Sequence, residues 1–165
     1  MSTAEDFVEF ATAAAPQLRR TAFLLCGNWH TAEDLTQTTL TKMFVSWRRI
    51  RQREAVFSYA SRTLVNTYIA DKRTKRSGEF VTDAVPELFT ETIGPETRMV
   101  VMAALATLPP RARAVVVLRY WADMSVEEVA AVLGCSAGTV KSQASRAMDK
   151  LRVVLEPTDG GQSHG

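Results

Sequence analysis

Residues 137–149, AGTVKSQASRAMD, gather Thr139, Lys141, Ser142, Gln143, Ser145 and Arg146 into one short segment. Val140, Ala144 and Ala147 or Met148 recur through it at helical spacing, which leaves the polar residues on the remaining faces. Hydroxyls, an amide and two cations, with no acid before Asp149, complement a surface of base acceptors and phosphates. The chemistry is recognition rather than bond making. Such a helix must be held by a partner, and SVEEVAAVLGCS at residues 125–136 supplies one. Val126, Val129, Ala130 and Leu133 repeat at helical spacing, Gly134 breaks the pattern, and Ser136 is placed to cap the next helix by accepting a backbone N–H. Two helices joined by a glycine-containing turn form a helix-turn-helix, whose second helix fits the DNA major groove. Paired amphipathic helices also occur in proteins that never touch DNA, so the remainder of the chain must decide.

A second stretch, FSYASRTLVNTYIADKRTKR at residues 57–76, alternates aromatics with cations: Phe57, Tyr59, Arg62, Tyr68, Lys72, Arg73, Lys75 and Arg76. Aromatic faces stack on unpaired bases while cations hold the backbone. Core packing is the competing role for Phe57 and Tyr68. The formal net charge of +2 conceals a strong asymmetry. Residues 42–76 carry ten Lys or Arg against Glu54 and Asp71, a net of +8. The segments on either side are acidic, with nets of −3 over residues 1–41 and −4 over 77–107. A cationic block of this density reads as a polyanion-binding face.

The 165 residues accommodate one domain or two small ones. Cys26 and Cys135 lie far apart with no CxxC or Cys/His cluster around them. Buried thiols are expected, and neither a metal nor a cofactor is. No signal pattern opens the chain and no apolar run spans a bilayer, so a cytoplasmic protein without membrane contact is expected.

Helical periodicity dominates and sustained alternation is absent, which predicts an all-α protein. Phe7, Phe10 and Ala11 start one helix; Pro16 suits the first turn of another that ends at Gly27. Thr31 with Asp34 resembles a capping box for a helix carrying Leu35, Thr38, Met43 and Trp47. A further helix runs from about Val56 to Arg76. Residues 77–93 are acidic, weakly periodic and punctuated by Ser77, Gly78 and Pro86, as expected of a flexible linker. Helices then run from about Pro95 to Leu108 and, after Pro109 and Pro110, to Trp121. The predicted layout is two small helical domains, residues 1–76 and 94–155, with a disordered tail at 156–165.

Taken together, residues 5–153 resemble a compact sigma-70-family transcription initiation factor of the extracytoplasmic-function, sigma-E-like group. TAEDLTQTTLTKMFVSW (31–47) is similar to the family's core-polymerase-binding helix, and FSYASRTLVNTYIADKRTKR (57–76) to the helices that open the downstream promoter element. LPPRARAVVVLRYWADMSVEEVAAVLGCSAGTVKSQASRAMDKLR (108–152) is similar to the domain that reads the upstream element. The resemblance implies polymerase contact through Asp34, Leu35 and Gln37. It implies −10 capture by Tyr59, Arg62, Asn66, Lys72, Arg73 and Arg76, with Asn66 at the pocket for a flipped base. It implies −35 recognition by the α-helix bearing Thr139, Lys141, Ser142, Gln143, Ser145 and Arg146. Core RNA polymerase and promoter DNA, duplex upstream and single-stranded downstream, are the implied partners. An anti-sigma factor is a further partner the resemblance allows, and the free chain is expected to be a monomer.

The chain also departs from the family. Tyr59 stands where many members have Trp. Asp71 falls five residues after Asn66 rather than four, with Ala70 in the usual place. Gln143 replaces a common Arg, and Ser145 a larger residue, so the upstream preference cannot be carried over from relatives. No catalytic constellation appears: Ser136 and Ser142 have no nearby His, and no phosphate-binding glycine loop is present. A conventional helix-turn-helix regulator that binds duplex DNA without polymerase is the main rival. It leaves the cationic, aromatic helix outside the helix-turn-helix unexplained. A helical adaptor that binds only proteins is a second rival, and the cationic block argues against it.

Overall fold

The computed structural model describes residues 4–50, 55–74 and 94–155, and all regular structure within them is helical. The elements are α1 (Ala4–Cys26), α2 (Trp29–Ser46), α3 (Val56–Thr74), α4 (Pro95–Ala106), α5 (Pro110–Val116), α6 (Val126–Leu133) and α7 (Ala137–Leu155). A 3-10 turn, Trp47–Arg49, follows α2, and a π-helical turn, Val117–Trp121, follows α5. The expected linker at 77–93 and tail at 156–165 lie outside the described residues.

Helices α1, α2 and α3 form the first bundle. Leu18, Ala22 and Leu25 of α1, Leu35 and Met43 of α2, and Leu64 and Val65 of α3 supply its fully buried side chains. The N-terminal half of α1 seats Phe7 and Phe10 on Trp47, with ring centroids 5.3 and 5.5 Å away. The two helices expected on either side of Pro16 are therefore one: α1 passes through the proline without a break. A mid-helix proline costs ~3 kcal/mol or more. Burial of the stripe below it and the aromatic contacts above it offset that cost.

Helix α2 also begins earlier than Thr31 and Asp34 suggest. Asn28 is its N-cap, in extended conformation, and its Oδ1 accepts the Thr31 N–H at 2.9 Å. Asn ranks with Asp and Ser as a cap, and its position immediately after the helix stop at Gly27 makes the turn between α1 and α2 very short. Thr39 rather than Thr38 faces inward; its hydroxyl, like that of Thr36, donates to the carbonyl four residues back and so enters the core satisfied.

The second bundle contains α4 to α7. Pro95 and Pro110 open α4 and α5 at the first helical positions, where the missing N–H costs nothing. The turn after α5 widens to π geometry, with Ala122 N–H donating to Val117 O and Met124 N–H to Leu118 O, both at 2.9 Å. Arg119 Nη1 holds this exit by donating to Met124 O at 2.9 Å. Ser125 and Glu128 then form a reciprocal capping box at the start of α6. The helix ends at Gly134, whose φ of 69° is the left-handed conformation that ends helices.

The two bundles are packed on one another. Helix α6 lies against α3, and the π turn lies against α1.

Gly134→Ala should destabilise the second bundle by about 1 kcal/mol. A Cβ there meets no atom within 4 Å, so backbone strain is the only cost. Urea denaturation followed by helical circular dichroism measures it; an unchanged midpoint would show that the left-handed turn is not required.

Candidate nucleic-acid interface

Helix α3 carries the first candidate surface. Ala60, Leu64, Val65 and Tyr68 face the core. Tyr59, Arg62 and Asn66 are exposed and lie three and four residues apart, so they form one stripe on the opposite side. This places a ring, a guanidinium and an amide in a single row. Lys72 is exposed but stands about a third of a turn from that row, toward its flank. Arg73 falls in the last helical turn, and Arg76 lies outside the described residues. Lys42 Nζ donates to Thr67 Oγ1 at 3.0 Å and ties α2 to this helix.

Tyr68, an aromatic of the same segment, is withdrawn from any base-stacking role. It is 2% exposed, and burial raises its hydroxyl to about 12. Beside it, burial also raises the Cys26 thiol, while the Arg113 guanidinium acts in the opposite direction. Cys26 and Cys135 are both free and half-buried rather than fully enclosed.

Helix α7 carries the second surface. Val140, Ala144, Ala147 and Leu151 are its buried stripe. Ser142, Ser145 and Arg146 are exposed on the far side, with exposed Lys141 and Thr139 on the two flanks. Ser136 Oγ accepts the Thr139 N–H at 3.1 Å and bonds the Thr139 hydroxyl at 3.0 Å. The cap therefore also sets the direction of a candidate contact residue. Gln143 is placed differently from the rest: it borders the buried stripe, and its Oε1 is buried without a hydrogen-bond partner. Asp149, the first acid of α7, is paired with Arg152 at 3.0 Å, which removes its repulsion from the end of the surface. Sequence reasoning passed over Gly138, which lies on the exposed side near the helix start and permits close backbone approach. Its place in GTVKS was the available signal.

Two long-range hydrogen bonds hold α6 and α7 in place. Arg111 Nη2 donates to Leu133 O at 3.1 Å, and Lys150 Nζ donates to Thr107 O at 3.0 Å.

Helix α2 presents a third surface. Asp34 and Gln37 are exposed, whereas Leu35 is 2% exposed and packs in the core. Leu35 thus acts on any partner only through the position of the helix. Phe44 and Val45, which the sequence reading did not select, are 53% and 72% exposed about two to three turns further along. Two adjacent apolar residues at the exposed end of an amphipathic helix were the signal for them. Among the described residues, no group of His, Cys, Asp and Glu is arranged to hold a metal ion.

The described residues thus form a helical protein with an exposed row of ring, guanidinium and amide on one bundle and a helix-turn-helix on the other. Residues 10–78 match the Sigma-70 region 2 family, and residues 98–151 match Sigma-70, region 4. The RNA polymerase sigma-E factor of Streptomyces antibioticus is 37% identical over 156 residues, which cover 93% of this chain and 87% of that protein. Its Streptomyces avermitilis counterpart is 36% identical with the same coverage. Among solved structures, the sigma factor RpoE of Bartonella quintana, in complex with the anti-sigma factor NepR, superposes with a TM-score of 0.79 at 26% identity. That match covers 93% of this chain and 98% of the other. The chain belongs to the sigma-70 family, in its extracytoplasmic-function group. It is an RNA polymerase sigma factor: it binds core polymerase and directs promoter-specific initiation through the −35 and −10 elements.

Because burial favours the neutral phenol, Tyr68 binds its proton more tightly folded than unfolded, where the value is about 10. Its contribution to stability is complete below pH 10 and is lost as pH rises toward 12. A difference titration of tyrosinate absorbance between wild type and Tyr68→Phe should place this group near pH 12. A midpoint near 10 in the native chain would contradict its burial.

Proposed function

We propose a division of labour among the three surfaces, carried by one observation: the outward rows of α3 and α7 are polar or cationic, acid-poor, and sit on different bundles. On α3, Tyr59 stacks on an unpaired base of the −10 element and Asn66 hydrogen-bonds the edge of a flipped one. Arg62 and Lys72 hold the single strand, with Arg73 and Arg76 extending the cationic track. Flipping a base costs a few kcal/mol, which a ring, an amide and a guanidinium in one row, with Lys72 on their flank, offset. On α7, Arg146, Ser142 and Lys141 contact the −35 duplex, supported by Thr139 and Ser145. Gln143 contributes from the edge of the surface only after its side chain turns outward. On α2, Asp34 and Gln37 bind core polymerase beside the exposed Phe44 and Val45, and Leu35 keeps the helix seated.

The protein performs no bond chemistry of its own; the polymerase does. It works in the cytoplasm with that enzyme. An anti-sigma factor is included among its partners because the structurally similar Bartonella protein is held by one.

With purified core polymerase, the chain should initiate transcription at a subset of promoters in a genomic library. No initiation anywhere would sink the reading. Asn66→Ala should reduce permanganate-detected promoter melting at least tenfold and leave polymerase pull-down unchanged; equal loss in both would reassign the residue. Arg146→Ala should cost ~1–3 kcal/mol, or roughly 5- to 150-fold, at promoters that use the −35 element. Unchanged transcription across promoters would remove it from the contact set.

A further inference from the structure

Gln143 stands in the middle of an outward row of α7, and its amide is left unfinished there. Thr139, Gln143 and Arg146 follow one another at four- and three-residue spacing, so they share one side of the helix. Thr139 and Arg146 are exposed at the two ends of the row. Gln143 between them is half-buried, because the row runs along the edge of the stripe formed by Val140, Ala144 and Ala147. Its Oε1 is buried without a hydrogen-bond partner. The Thr139 hydroxyl is bonded to Ser136 Oγ at 3.0 Å, and the stripe itself is apolar. A buried acceptor that has given up water and gained no donor destabilises the conformation that holds it. An apolar side chain of similar length would fill the same edge without that cost.

The chemistry of the amide selects one base. A glutamine carries an acceptor and a donor side by side on one planar group. In the major groove adenine presents the complementary pair, an N6 amino donor beside the N7 acceptor. Guanine presents two acceptors and would leave Oε1 unpaired. Thymine offers an acceptor and a methyl group. Cytosine offers a donor and leaves the amide N–H groups unmatched. Adenine alone completes both halves of the Gln143 amide. Arginine, common at this position in the family, has five donors and no acceptor, so it suits guanine or phosphate instead.

Arg146 fixes where that base lies. It follows Gln143 by three residues, or about 4.5 Å along the helix axis. Neighbouring base pairs are separated by a similar distance, about 3.4 Å. Asp149, three residues beyond Arg146, is engaged with Arg152 at 3.0 Å.

We propose that Gln143 is a specificity-determining residue of the −35 grip: on docking, its side chain swings outward between Thr139 and Arg146 and forms a bidentate pair with an adenine, next to the base pair that Arg146 reads. In the free chain the amide lies folded against the edge of the core. The duplex supplies the donor that Oε1 lacks there. The inference rests on the reading of α7 as the helix that enters the −35 major groove.

Transcription by the full-length chain with core polymerase, on promoters randomised through the −35 element and scored by transcript sequencing, tests it. Wild type should favour adenine at least about fivefold at a pair adjacent to a guanine whose preference Arg146→Ala abolishes. Gln143→Met, similar in length and without an amide, should bring the adenine preference below about twofold and keep the guanine preference. The urea midpoint of its free chain should be unchanged or higher. Gln143→Ala should lose the adenine preference likewise, and decides the matter if the Met variant loses helical circular dichroism. A retained adenine preference in the folded variant, its absence from that place in wild type, or a midpoint lowered in Gln143→Met overturns the proposal. Wild-type transcription that depends on no base of the −35 element refutes the reading of α7, and the proposal with it. An inactive wild type instead refutes the sigma assignment itself.

Discussion

Every α-helix ends in carbonyls that its own backbone cannot satisfy, and α1, α2, α4 and α6 have no cation in their last turn. Three of them, α1, α4 and α6, are completed from a distance. Arg113 reaches Leu24 at the end of α1, Lys150 reaches Thr107 just past α4, and Arg111 reaches Leu133 at the end of α6. Side chains of α5 and α7 thus serve as the C-terminal caps of helices far from them in sequence. Hydrogen bonds from a charged donor are worth more than neutral ones, and these three also fix direction. They determine how α6 and α7 sit together, and how the second bundle meets the first.

The functional surfaces follow from that placement by helical geometry alone. Once Ala60, Leu64 and Tyr68 are committed to the core, Tyr59, Arg62 and Asn66 have to share the outer side of α3. Once Val140, Ala144 and Ala147 are buried, Ser142, Ser145 and Arg146 have to face away on α7. Burial on one side and recognition on the other are two readings of a single 3.6-residue period. The Ser125–Glu128 capping box and the Ser136 cap then set where each helix of the pair begins.

Much of this was legible before the structure. The helix-turn-helix, its Gly134 break and its Ser136 cap depend on residues within a few positions of one another, so spacing reveals them. The residues that sequence misjudged depend on partners further away. Pro16 read as a boundary because its local cost is visible, whereas the Phe7 and Phe10 contacts with Trp47 that outweigh it are not. Tyr68 read as one aromatic among several in a cationic helix; only the neighbouring helices show that it is enclosed. Leu35 and Gln143 sit in recognisable motifs, but their orientation is set by the core they border. Phe44 and Val45 were passed over because an apolar pair in a helix reads as core until the assembled bundle shows them more than half exposed, Phe44 meeting only the edge of the bundle through Phe7.

The sequence by itself determined the all-helical class, the cap and break positions of the helix-turn-helix, the concentration of cations in residues 42–76 and membership in a family of initiation factors. Those properties are local, or are sums over residues, and need no knowledge of what lies across the core. Tertiary structure alone decided that α1 runs unbroken through Pro16, which side chains of each motif face outward, and that Arg113 of one bundle caps a helix of the other. These depend on contacts between residues up to 89 positions apart. Hydrogen-bond satisfaction and close packing choose such contacts only once the whole chain is assembled.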